Sequence, residues 1–141
     1  MPDGGTRLRR PGGEPVRSYL AVGSFGQRAV VPASGAVRVD GRLPAELGAL
    51  IGCGVATGVG AVTNTAAVQH GQSVVVVGCG GVGLSVVMGA VLVGADPVIA
   101  VDISAPKLRL AGDVGATHMV RGGDSAAAEI AAMRGKCGVF V

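Results

Sequence analysis

At 141 residues the chain has the length of a single domain, and its formal charge of +3 comes from a basic set weighted to the front, with seven of twelve Lys and Arg residues in the first 42 positions. No dense Lys/Arg run and few aromatics (one Tyr, two Phe, no Trp) exclude a nucleic-acid arm, for which phosphate contacts would be needed, and leave a solvated surface segment. Three widely spaced cysteines, Cys53, Cys79 and Cys137, and a start of Pro, Gly and Arg in place of an apolar signal core exclude a secreted disulfide framework and make a cytoplasmic setting the expectation.

In chain order, the β-rich pieces at 27–31 and 36–39, joined by Pro32, Ala33, Ser34 and Gly35, predict strands of an antiparallel element. Residues 44–51 and 58–68 predict two helices. From Leu47 to Ala95 no Asp, Glu, Lys or Arg occurs, room enough for two membrane spans. The interior of that gap argues otherwise. Four valines at 74–77, between Ser73 and Gly78, predict a strand buried on both faces, and 82–93 predicts a helix ending at a Gly94 cap. A second strand at 97–101 ends at Asp102. Ser104 and Pro106 then open a helix at 107–114, with a third strand at 115–120, a helix at 124–133 stopped by Gly135, and a fourth strand from Cys137 to the end. Such alternation predicts an α/β fold with a doubly wound parallel sheet, whose buried middle strands and helices explain the missing charges without lipid.

Gly78, Cys79, Gly80, Gly81, Val82 and Gly83 fit G-x-G-x-x-G directly after a strand and at a helix start. Gly78 allows the tight turn, Gly80 lets backbone approach a pyrophosphate, and Gly83 lets helix and strand pack closely. The helix N-terminus, including Gly81 and Val82, adds N–H groups for the phosphates. Asp102 lies 24 positions after Gly78, at the end of the second strand, where a carboxylate accepts from adenosine ribose hydroxyls and repels the 2′-phosphate of NADP. NAD is therefore the expected cofactor. Lys107 reads equally as a ribose contact or an exposed first-turn lysine. An S-adenosylmethionine-dependent methyltransferase would share the glycine turn and the acid, although it does not need the third glycine.

Together with the segment from Ile51 to Ala61 (IGCGVATGVGA), these motifs closely resemble the zinc-containing medium-chain alcohol dehydrogenases, in the branch of class III and thiol-dependent formaldehyde dehydrogenases. The resemblance covers about residues 20–125. It implies that 1–50 is a remnant of a β-rich, GroES-like catalytic domain with its linker, and that 51–141 is a partial Rossmann-type NAD-binding domain. It implies Cys53 as one ligand of a catalytic zinc, Thr57 beside the nicotinamide, the glycine turn on the pyrophosphate, and Asp102 with Lys107 on the ribose. The other two zinc ligands, the proton-relay hydroxyl and the structural zinc loop have no counterpart, so no catalytic residue is assigned; His70 and His118 match no ligand, and Cys79 and Cys137 no role. The expectation is a fragment, cut at both ends, of an NAD-linked dehydrogenase acting on an alcohol or a thiol adduct of formaldehyde, inactive by itself. The alternative is a non-catalytic dinucleotide-binding remnant. No membrane partner is expected, and a homo-oligomer is compatible with the resemblance.

Overall fold

The computed structural model describes residues 5–6, 8–17, 24, 26–133 and 138–140. The chain divides into two units, Met1–Gly41 and Arg42–Val141. In the first, strands β1 (Leu8–Arg9) and β2 (Pro15–Val16) pair antiparallel, with Leu8 opposite Val16. An exposed Arg10–Glu14 ion pair of 3.1 Å spans their turn and contributes little in solvent. The strands expected at 27–31 and 36–39 do not form. Both stretches flank a 3-10 turn at Ala33–Gly35, and Val30 and Val37 are 83% and 85% exposed. Branched side chains favour extended backbone, but a strand also needs a neighbour for its N–H and carbonyl groups, and among the described residues none pairs with them.

The second unit opens with helix α1 (Ala45–Thr65), a continuous run in which Ile51–Val55 and Ala61–Thr65 are wound as wider π turns. This corrects the expectation of two helices. Gly52 and Gly54 weaken helix locally, yet close packing of Gly58, Val59 and Val62 on the next helix holds the run together. Among the described residues α1 is the one helix long and apolar enough to cross a membrane. The stretch 74–95 instead holds most of a short strand and a helix of 12 residues.

Strand β3 (Ser73–Val77), helix α2 (Gly81–Leu92), β4 (Val98–Asp102), α3 (Ala105–Asp113), β5 (His118–Arg121), α4 (Ala126–Met133) and β6 (Gly138–Phe140) then alternate. The four strands are parallel in the order β5-β4-β3-β6, with Val74 beside Val98 and Val139. Helix α3 starts earlier than expected, with Ser104 at the cap and Pro106 in the first turn. Gly94, at φ +74°, follows α2 as its expected stop. Gly135 and Cys137 lie outside the described residues.

Successive residues of β3 and β4 face opposite layers. Val74, Val76, Val98 and Ala100 pack with Val86, Val87, Ala90, Leu108 and Ala111, whereas Val75, Ile99 and Val101 pack with Val120, Ala126 and Ile130. Each fully buried valine contributes about 1.5–3 kcal/mol, more than a surface ion pair, which is why these strands carry no charge before Asp102. Chain order reverses between β3 and β6, and the carboxyl ends of strands at such a point are where sheets of this type take ligands.

Candidate functional site

Immediately after β3, Gly78 takes φ +94° while its N–H still reaches the Val101 carbonyl at 2.8 Å, so the chain turns sharply yet remains tied to β4. Gly80 is extended (φ −80°, ψ −170°) and caps α2; its carbonyl accepts from the Leu84 N–H at 2.8 Å. A Cβ at Gly83 would run into the Gly78 carbonyl oxygen and lie 2.9 Å from its carbon, so helix and turn touch only because no side chain intervenes. At Gly80 and Gly81 the reverse holds: nothing described lies within 4 Å of an added Cβ. With Val82 44% exposed beside them, the space over the start of α2 is open, and the first N–H groups of a helix have no intrahelical acceptor.

Asp102 closes β4 with its side chain only 6% exposed. Its Oδ1 accepts the Ser104 N–H and its Oδ2 the Cys79 N–H, both at 2.8 Å, while the Lys107 ammonium stands 4.0 Å from Oδ2 on a half-exposed side chain. The Ser104 and Cys79 N–H bonds hold the carboxyl below its ordinary range against the opposing effect of burial, and Lys107 adds to them. Cys79 is buried, and burial, followed by the nearby Asp102 charge, pushes its thiol up. A thiol so placed packs as a small apolar group. The Cys79 and Ser104 contributions escape sequence reading because both come from backbone N–H groups, which any residue except proline supplies.

Gly78, Gly80, Gly81, Val82, Gly83, Asp102 and Lys107 are thus gathered at the carboxyl ends of β3 and β4. Cys53 and Thr57 sit elsewhere, on α1, both exposed and four residues apart on one helix face. Gly58, next to Thr57, seats α1 on the first turns of α2, with an added Cβ 2.6 Å from the Val82 carbonyl oxygen. A catalytic zinc needs three protein ligands. Among the described residues no group of three His, Cys, Asp or Glu side chains could hold a metal, so they do not fit a zinc site. His70 and His118 are both exposed; the His70 ring borders Gly94, and His118 Nδ1 is 2.9 Å from the Thr117 hydroxyl.

No family model matches the chain. It is 43% identical over 120 residues to the S-(hydroxymethyl)glutathione dehydrogenase of Saccharomyces cerevisiae, a match covering 85% of this chain and 31% of that one. It is 42% identical over 131 residues to the NDMA-dependent alcohol dehydrogenase of Amycolatopsis methanolica, covering 93% and 35%. The crystal structure of an alcohol dehydrogenase zinc-binding domain protein from Burkholderia ambifaria superposes with a TM-score of 0.82 at 39% identity, covering 98% of this chain and 39% of that one. The chain therefore spans about a third of the length of these curated relatives. Glycine turn, parallel sheet and sequence identity agree: the chain is a partial-length homologue of the medium-chain zinc alcohol dehydrogenase family.

Proposed function

We propose that the chain builds the adenosine and pyrophosphate half of the NAD site of an alcohol dehydrogenase. The observation that carries this reading is the open glycine turn, empty of side chains over Gly80 and Gly81, with the Asp102 carboxylate fixed beside it. In this reading Gly78, Gly80, Gly81, Val82 and Gly83 take the pyrophosphate on backbone N–H groups, and Asp102 with Lys107 takes the adenosine ribose. The buried negative charge of Asp102 disfavours a 2′-phosphate, so NAD is preferred over NADP. Bound NAD would supply the hydride acceptor; Thr57 would border its nicotinamide. Cys53 would contribute one zinc ligand, and the described residues supply no group to complete the site.

The domain reading that accompanies this is a catalytic-domain remnant over 1–50 and a partial NAD-binding domain over 51–141. The substrate class is a small alcohol or aldehyde. The S-(hydroxymethyl)glutathione dehydrogenase among the relatives supports a thiol adduct of formaldehyde as substrate, and a cytoplasmic setting is part of the same proposal.

Gly80→Ala tests the reading cleanly. An alanine is permitted at φ −80° and meets no neighbour, so thermal stability is unchanged, while the new methyl stands where the pyrophosphate must approach. Fluorescence titration is expected to show saturable NADH binding by the wild-type chain, weaker NADPH binding, and a loss of about tenfold or more in the variant. Equal NADH affinity in variant and wild type, or no saturable binding at all, overturns the proposal.

A further inference from the structure

We propose that Asp102 has a second role that precedes any ligand: it is a positioning residue that clasps the glycine turn to β4 through the Cys79 N–H. The turn is tied to β4 by two successive backbone donors, and the Cys79 thiol adds a longer contact of 3.8 Å to the Val101 carbonyl. Gly78 N–H goes to a backbone carbonyl, Val101, and Cys79 N–H goes to the Asp102 side chain, each at 2.8 Å. Of the two backbone donors, only the second relies on a side chain as its acceptor. Cys79 is 1% exposed, so its N–H has no access to water as a substitute acceptor, and loss of the carboxylate leaves a buried donor unpaired. The other oxygen is fixed by the Ser104 N–H, which stops the carboxylate from rotating away from the turn.

A residue that acted only by contacting ribose would show this arrangement in its bound form alone. Here each carboxylate oxygen already accepts one protein N–H and keeps further acceptor capacity for a ligand. Asp102 therefore shapes the pyrophosphate half of the site as well as the ribose half. Its substitution must weaken ligands that carry no adenosine-ribose hydroxyl, and that distinguishes the clasp from the ribose contact.

The test compares the 141-residue chain with its Asp102→Ala variant, which removes the acceptors of both the Cys79 and the Ser104 N–H at once. The probes are ADP and 2′,3′-dideoxy-ADP, the latter lacking both ribose hydroxyls. The clasp predicts that the variant binds dideoxy-ADP about tenfold more weakly than wild type, the scale of one hydrogen bond to a charged group. Equal dideoxy-ADP affinities would show that Asp102 acts through the ribose alone and overturn the proposal.

Amide hydrogen exchange on the unliganded proteins gives a second measurement. The Cys79 amide is expected to be protected in wild type and to exchange at least about tenfold faster in the variant, while Val75 and Ile99 amides stay protected and report a folded sheet. An unprotected Cys79 amide in wild type, or unchanged protection in the variant, defeats the clasp. The clasp's ligand test rests on the nucleotide-site reading. If wild type binds neither nucleotide, that reading fails by itself and the amide measurement still decides the clasp.

Discussion

The Ser104 and Cys79 N–H groups and the Lys107 ammonium all favour the ionised form of Asp102, and burial only partly opposes them, so its folded-state carboxyl titrates below the reference value of 3.8. A carboxyl depressed by folding contributes stability that is fully present above the unfolded value and is lost as pH falls through the folded one. Wild type should accordingly lose urea resistance more steeply than Asp102→Asn as pH falls below about 4, because the variant has no proton to take up at that position. Parallel profiles for the two proteins would show that the paired N–H groups do not act on this charge. The identity of Asp102 is legible in the sequence because a carboxylate at the end of a second strand has few other uses. Its partners are not legible, since Cys79 and Ser104 act through main-chain atoms.

Helix α1 shows how packing overrides local preference. Gly52, Gly54, Gly58 and Gly60 lower helix propensity enough that the sequence reads as two short helices with a break, whereas the structure runs straight through. Only one of these glycines faces a crowd. A Cβ at Gly58 would collide with Ser85 and lie 2.6 Å from the Val82 carbonyl oxygen, and backbone cannot move aside by changing rotamer. The gain of about 0.8–1 kcal/mol from replacing a helical glycine by alanine is therefore outweighed by an overpacking cost of about 1–3 kcal/mol. Gly58→Ala should lower the thermal midpoint while Gly54→Ala, with nothing within 4 Å of its Cβ, should raise it or leave it unchanged. A midpoint for Gly58→Ala equal to that of Gly54→Ala would mean that α1 does not rest on α2. From Ser73 onward the reading from sequence succeeds because each strand is a short branched run between turn residues and each helix has its own stop. It fails at 27–31 and 36–39 because strand formation depends on a partner that local composition cannot supply.

At the scale of the whole chain the two halves of the chemistry differ in how far apart their parts lie in sequence. In the proposed reading the pyrophosphate and ribose contacts come from one continuous stretch, from the turn after β3 to the first turn of α3, so a chain spanning about a third of its relatives can carry them. A tetrahedral zinc site gathers ligands from separated segments, and here Cys53 stands exposed on α1 with no described His, Cys, Asp or Glu group to complete it. A single thiolate holds zinc weakly, because affinity comes from several ligands closing around one ion. The 141-residue chain should therefore retain far less than one zinc per molecule after equilibrium dialysis at low micromolar free metal. Its NADH affinity should be unchanged by a chelator, and it should produce no NADH from alcohol and NAD. A stoichiometric zinc that disappears in Cys53→Ser would reverse this argument, because further ligands would then have to come from outside the described residues or from a second copy of the chain. The predicted separation, nucleotide binding without metal binding, follows from where the ligands lie along the chain and needs no difference in the fold of the part that is present.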